Sequence, residues 1–321
     1  MQLRLPAFLT RKPTLPPTAV ALPAPPPVPQ DASNDDEDAD VVDSADLGVV
    51  DLNALPNRLR AVFKDPRYQP PTPPAVAMEL MALSRTSEVD LVKAEALFRR
   101  DPMLTARVLK VARSPLYGSA SVPTIKDAIV RLGARRLNHV VLEAALELRV
   151  FRSAVWGHWM ERVRRHSTAV GHIASQLAHL GDIDADQAFI AGLMHDIGTA
   201  AAIGAIGDRH SDFADIDPIA IAQAFDELHL EVGAIVAEVW QMSAEVKMVI
   251  AGHHHVQLKK SPLLAVIVLA EAFANDAGFN ISAEIDPFCD DDLVWARQML
   301  DLDDAKIARL GHQLAPIIAT L

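Results

Sequence analysis

After residue 53, apolar positions recur three and four residues apart through most of the chain, the spacing of amphipathic helices. The prolines of "PPTPP" at 70–74 mark a turn before an apolar-periodic stretch from Ala75 to Leu83. In "EVDLVKAEALFRR", Leu91, Ala94 and Leu97 share one face. Asp101-Pro102 reads as a helix start, an N-cap carboxylate followed by proline at the first helical position. Leu104, Val108 and Val111 then share a face. Thr124 and Asp127 have capping-box spacing, with Asp in place of Glu. The helix they open runs to Leu132-Gly133, where the glycine can end it. Further helices are expected over 135–151, 156–180, 185–203, 218–240, 243–254, 262–277 and 288–320, some of them broken. No alternating apolar/polar stretch bounded by turn signals reads as a strand, and no fixed-period repeat occurs. The expected fold class is all-α, a multi-helix bundle.

Composition agrees with this reading. Half of the residues are hydrophobic and only 5% aromatic, a mix that favours helices over sheets. Residues 1–52 break the pattern. Nine prolines fall in the first 30 positions, and residues 31–51 hold nine acidic groups and no basic one. Such a segment buries too little apolar surface to offset its ordering entropy, so a disordered tail is expected there. Residues 31–51 alone carry −9 of the net charge of −12. The clusters Arg131, Arg135, Arg136 and Arg162, Arg164, Arg165 read as solvated helix faces, and no nucleic-acid partner is predicted. The single Cys289 excludes an internal disulfide and suits a reducing cytoplasm. Pro6 interrupts the N-terminal apolar residues, so no signal peptide is read. The apolar run Leu263–Ala270 is too short to span a bilayer. A cytoplasmic protein without a membrane segment is expected.

The chemistry lies in "AGLMHDIGTA" at 191–200, where His195 and Asp196 sit side by side in apolar surroundings. The helix over 188–203 is apolar nearly all round and should be buried. A buried aspartate requires polar partners. The candidates are His166, His229, His253, His254, His255 and Glu271, which lie on four other predicted segments or their ends, beside apolar residues. One ligand per helix is how bundles build metal sites, and imidazole with carboxylate suits divalent iron, manganese, zinc or nickel. The competing reading is a buried hydrogen-bond network that fixes the packing.

His166, then His195-Asp196, then a late carboxylate, resemble the HD superfamily of metal-dependent phosphohydrolases. The chain is more closely similar to the HDOD domain, the HD-related output domain of bacterial signalling proteins. The likeness runs through "DPMLTARVLKVARSPLYG" at 101–118, "IKDAIVRLG" at 125–133, "HS" at 166–167, "AFIAGLMHDIG" at 188–198, "HLEVGAIVAEVW" at 229–240 and "HH" at 253–254. It covers about 200 residues, roughly 70–277. The resemblance implies one helical domain over 53–277, with a helical extension over 278–321 packing on it. It implies a non-catalytic regulatory module acting through protein partners in a bacterial signalling pathway. The metal-ligand positions would be His166, His195, Asp196, His229, His253, His254 and Glu271, the last where Asp is usual.

Two departures from the HDOD pattern are visible: Arg113 precedes Ser114 where Asn is usual, and Ser243 follows Trp240-Gln241-Met242 where Pro is frequent. The alternative is a metal-dependent phosphohydrolase like the related HD-GYP enzymes, which cleave cyclic di-GMP. In those, Lys follows the pair as "HDIGK", whereas Thr199 stands here, and "HHHVQLKKSPLL" contains no "GYP" segment. Lysine would stabilise phosphate charge and threonine cannot.

Overall fold

The structure, a computed structural model, describes residues 55–73, 75–83, 90–114, 121–207, 218–258, 260–281 and 288–319. The tail expected to be disordered, 1–52, lies outside the described residues. All regular structure among the described residues is helical. The elements are α1 (Leu55–Lys64), α2 (Ala75–Leu83), α3 (Leu91–Arg100), α4 (Pro102–Ala112), α5 (Ile125–Arg149), α6 (Gly157–Ala178) and α7 (Ala185–Met194). They continue with α8 (Ile197–Gly207), α9 (Pro218–Val239), α10 (Ala244–Gly252), α11 (Pro262–Asp276), α12 (Asp290–Met299) and α13 (Asp304–Ile318).

Local chemistry starts the N-terminal helices. The Asp90 side chain accepts from the backbone N–H groups of Val92 and Lys93 at the head of α3. Asp101 accepts from Leu104 N–H, with Pro102 opening α4. Thr124 and Asp127 form the full reciprocal capping box at α5. Gly133, with φ +67° and ψ 178°, interrupts the helical run as expected, so that Ile125–Arg149 is two helical segments meeting at a kink. The Arg113 guanidinium, standing where Asn is usual, donates to the Val122 carbonyl at 2.8 Å and ties the end of α4 to the approach to α5. Ser243 caps α10 by accepting from Val246 N–H.

The helices enclose two apolar cores that share α5. The first is built by α2, α3, α4 and most of α5, around Leu80, Phe98, Leu104, Val108 and Leu137. The second is larger, and α6, α7, α8, α9 and α11 supply most of it. The C-terminal end of α5 and helices α1, α10, α12 and α13 close it, with α12 packed on α11 and α13 on α6. The turn before α2 is anchored to the second core, because Trp240 Nε1 donates to the Pro71 carbonyl at 3.0 Å.

The expected helix over 185–203 is corrected to two, α7 and α8, separated by a turn at His195-Asp196. Apolar residues run through both, so periodicity alone could not locate the break. The stretch Ala185–Gly207 is long and apolar enough to cross a membrane, but 83% of its most apolar window is buried inside the protein, as in a core helix.

Candidate metal centre

Two close helix crossings assemble the site. A Cβ on Gly192 would lie 2.8 Å from the Val170 carbonyl oxygen and 2.9 Å from Gly171 Cα, so α7 rests directly on the backbone of α6. That crossing sets His195, at the end of α7, beside His166 of α6. A Cβ on Gly198 would lie 1.9 Å from the His229 carbonyl oxygen and 2.6 Å from the Gly233 nitrogen. Only glycine fits there, and its absence of side chain seats the start of α8 against His229 of α9. His253 and His254 follow the end of α10, and Glu271 projects from α11.

The structure brings six of the seven candidates around one point, with His254 at its edge. His195 Nε2 lies 3.3 Å from Asp196 Oδ2 and 3.8 Å from Glu271 Oε2. His166 Nε2 lies 3.6 Å from the same aspartate oxygen and 3.2 Å from His195 Nε2. The other aspartate oxygen, Oδ1, faces His253 Nε2 at 3.4 Å and His229 Nε2 at 3.7 Å. The His254 ring packs edge-on against His253 and His229, with centroids 4.3 and 4.7 Å away. Ligand-type atoms form the groups His166–His195–Glu271 and His229–His253–His254, linked by a third, His195–Asp196–His253, in which Asp196 turns one oxygen to each side. His255 is exposed and absent from these groups. Apart from half-buried His254, all of the seven are buried, His195 and His253 completely.

The ring nitrogens are sorted. His166 Nδ1 donates to the Phe279 carbonyl at 2.8 Å, His195 Nδ1 to Gly192 at 2.7 Å and His229 Nδ1 to Asp226 at 2.6 Å. His253 Nδ1 lies 3.3 Å from the Val249 carbonyl. Such backbone bonds fix the tautomer and leave each Nε2 lone pair pointing inward. Two lone pairs then face each other across 3.2 Å at His166 and His195, which is repulsive unless a proton or a cation lies between them. His229 Nε2 and His253 Nε2 are buried without a hydrogen bond among the described residues. A divalent ion with bonds of about 2.0–2.2 Å separates its ligands by roughly 3.0–3.6 Å, close to the spacings found. The donor set fits a metal.

The electrostatics agree. Burial, helped by the charge of His195, pushes His166 and His253 down to about 4, and burial pushes His254 down to about 2. These rings are neutral at pH 7, as ligation requires. Burial also disfavours charge on His195, but Asp196 and then Glu271 outweigh it and raise its pKa to about 9. Burial would raise Asp196, yet His195, His253 and His229 hold it well below the usual carboxylate range. One proton on His195 is thus the substitute for a cation in this cluster.

Three contributors escaped the sequence reading. The carbonyls of Phe279, Gly192 and Asp226 carry no side-chain signal, and Phe279 lies beyond the expected domain end at 277. The glycine pairs were visible in "VGHIA", "AGLMHDIG" and "HLEVG", but their partners are set by tertiary packing. The basic cluster on α6 is also more than a solvated face. Arg162 is half-buried and donates to the Asn280 carbonyl at 3.3 Å, and half-buried Arg164 is held by Glu161 at 2.6 Å. Thr199 is buried one turn after Asp196, its N–H bonded to the Asp196 carbonyl at 3.0 Å.

The model of the HDOD domain family matches residues 71–256. An HDOD domain protein of unknown function from Geobacter sulfurreducens superposes with a TM-score of 0.62 at 22% identity, over 83% of this chain and 96% of that one. A protein from Shewanella amazonensis SB2B, provisionally described as a metal-dependent phosphohydrolase, gives 0.62 at 22% identity, over 84% and 98%. One from Marinobacter aquaeolei VT8, provisionally described as a signal-transduction protein, gives 0.59 at 18% identity, over 86% and 66%. At these identities the likeness is one of fold. No match is found among the curated proteins.

Proposed function

The chain belongs to the HDOD domain family, and we propose that it is a regulatory output module of a bacterial signalling pathway, acting through a protein partner and built around a buried divalent metal centre. One observation supports the metal: three imidazoles anchored at Nδ1 to backbone carbonyls, with His253 beside a fourth, turn their Nε2 atoms to one carboxylate. His166, His195 and Glu271 would hold a cation on one side of Asp196, and His229, His253 and His254 on the other. Iron, manganese, zinc and nickel all suit this donor set. When bound, a cation supplies positive charge against the two carboxylates and links helices that packing alone only brings into contact. Asp196 and Glu271 hold the negative charge, the anchored imidazoles hold orientation, and the surrounding apolar residues exclude water.

The burial of these groups favours a regulatory over a hydrolytic role. A phosphodiester must reach the metal, and six of the seven donor side chains are buried, with Asp196 at 6% exposure. Thr199 offers no positive charge beside the pair. The second reading, a metal-dependent phosphohydrolase, is favoured by the donor set itself. Elemental analysis of the purified protein, with parallel assays on bis-p-nitrophenyl phosphate and cyclic di-GMP, separates the readings. The expected result is stoichiometric metal without turnover. Metal-dependent hydrolysis that disappears in Asp196→Ala establishes the second reading. Metal-free protein with no effect of added metal leaves the packing network.

A further inference from the structure

Away from the metal centre, a cleft of about 830 Å³ opens at the edge of the second core. The segment after α1, the end of α5 with the turn that follows, and one face of α8 line it. We propose that this cleft binds a nucleoside phosphate.

The charge of the lining comes first. Arg67, Arg149 and Arg152 face the cleft against one carboxylate, Glu161. Two of these charges are already matched: Arg67 is held by Asp65 at 2.7 Å and Glu161 by Arg164 at 2.6 Å. Arg149 and Arg152 make no ion pair among the described residues and stand exposed at the mouth. Two uncompensated guanidinium forks on one rim suit a phosphate group, which accepts paired N–H bonds.

Size and shape exclude a bare phosphate as the natural occupant. The volume falls within the range of small-molecule and cofactor pockets. Its floor is the half-buried Gly204, Ala205 and Gly207 face of α8, which carries no bulky side chain. A Cβ on Gly204 would meet no atom within 4 Å, so the space above the helix is open. A planar ring can lie flat against such a surface. Tyr68 and Phe151 supply aromatic walls, and Tyr68 is braced edge-on by Phe63 at 5.2 Å. The Tyr68 hydroxyl is buried with no hydrogen-bond partner among the described residues, a donor that a base or sugar acceptor would satisfy. Phosphate-binding charge at the rim, a flat floor, aromatic walls and one unused donor together describe a nucleotide. The floor is α8, which begins at Ile197, directly after Asp196. The occupant would rest on the same helix that carries the His-Asp turn.

The test is calorimetric titration of the full-length protein with AMP, GMP, CMP and UMP, and separately with inorganic phosphate. At least one nucleotide should bind one-to-one and about tenfold or more tighter than phosphate, a difference well resolved by the method. Arg149→Ala/Arg152→Ala should weaken that binding about tenfold or more by removing both forks. Gly204→Phe should block it sterically, and circular dichroism should show both variants folded. Metal content should be unchanged in both, which keeps this proposal separate from the metal centre. The proposal is overturned if no nucleotide binds, if phosphate binds as tightly, or if binding survives both variants. Nucleotide binding lost in Asp196→Ala but kept in the cleft variants would assign the ligand to the metal centre and overturn it equally.

Discussion

The two cores of this protein solve the packing problem differently. The first, on α2 to α5, is apolar, and its helices α3 and α4 are amphipathic, with side-chain caps on α3, α4 and α5. The second holds nearly all of the buried polar groups: four histidines, Asp196 and Glu271 around the centre, with Ser167, Thr168, Ser175 and Thr199 nearby in sequence. Its helices α7, α8 and α11 are apolar almost all round. The first core can be assembled from faces. The second depends on close backbone contact at glycines and on a polar cluster that must be neutralised as a unit. Stability in the first should therefore be local and insensitive to metal, and in the second cooperative and metal-linked.

The sharpest way to break that contrast is Asp196→Ala beside Phe98→Ala. Removing one partner of a buried charge cluster costs about 3–5 kcal/mol, and emptying a core phenylalanine costs about the same. Phe98 is 1% exposed in the first core, so both losses should be large. Their metal dependence should differ. A chelator should lower the melting temperature of wild type and of Phe98→Ala, but barely affect Asp196→Ala, because a ligand stabilises only the form that binds it. Thermal melts with and without chelator check this. Equal chelator sensitivity in Asp196→Ala and wild type would remove the aspartate from the metal centre.

Next is Gly198→Ala. The added methyl would sit 1.9 Å from a backbone carbonyl of α9, and that oxygen cannot rotate away. Helices α8 and α9 must separate, at a cost at or above the upper end of the roughly 1–3 kcal/mol typical of overpacking. His229 should move away from Asp196 with α9, so metal content should fall along with stability. An alanine variant with wild-type metal content and melting temperature would show that the crossing does not position the site.

These variants also mark what the sequence could disclose. Capping residues act on their own chain neighbours, so Asp101, Thr124 and Ser243 were legible as helix starts. The one-sided patterns of α3 and α4 were legible because one side meets water. The break at His195-Asp196 was not, since residues on both sides are buried and no periodic polar face records where the helix turns. The polar side chains of the centre stood out against apolar surroundings. The carbonyls that orient them, at Phe279, Gly192 and Asp226, are main-chain groups present at every residue, and only the fold selects them. Gly133 was legible in the same way, because its positive φ interrupts the helical run where a glycine was expected to end it.

A smaller effect is expected at the head of α5. Thr124→Ala removes the capping box, and the loss should be about 1 kcal/mol. Metal content and chelator sensitivity should stay at wild-type values, since α5 contributes no ligand to the centre. Loss of metal in this variant would show that the two cores are coupled through α5 more tightly than their separate packing implies.

The smallest effect should arise on the boundary itself, at His139 of α5. Its ring stacks on Phe189 of α7 at 3.8 Å, and its Nε2 donates to Asp186 at 3.0 Å. Burial lowers its pKa, while Asp186 pulls upward without prevailing, and His172 on α6 and Arg135 on α5 add to the lowering. The folded protein thus resists a proton that the unfolded chain accepts near pH 6.5. Stability from this group is fully present above that pH and is lost as pH falls below it. The slope is bounded at about 1.4 kcal/mol per pH unit for one proton. Asp186, whose own pKa is lowered once His139 and Arg135 outweigh its burial, acts in the same direction only at more acidic pH. His139→Phe keeps a ring against Phe189 and removes the titration. Denaturant melts from pH 7.5 down to 5.5 should therefore show a shallower loss of stability in the variant than in wild type. The metal centre is the same in both proteins, so its contribution cancels in the difference. Parallel profiles would mean that His139 takes its proton in the folded state as readily as in the unfolded one. The boundary between the two cores would then be wetter than its packing shows.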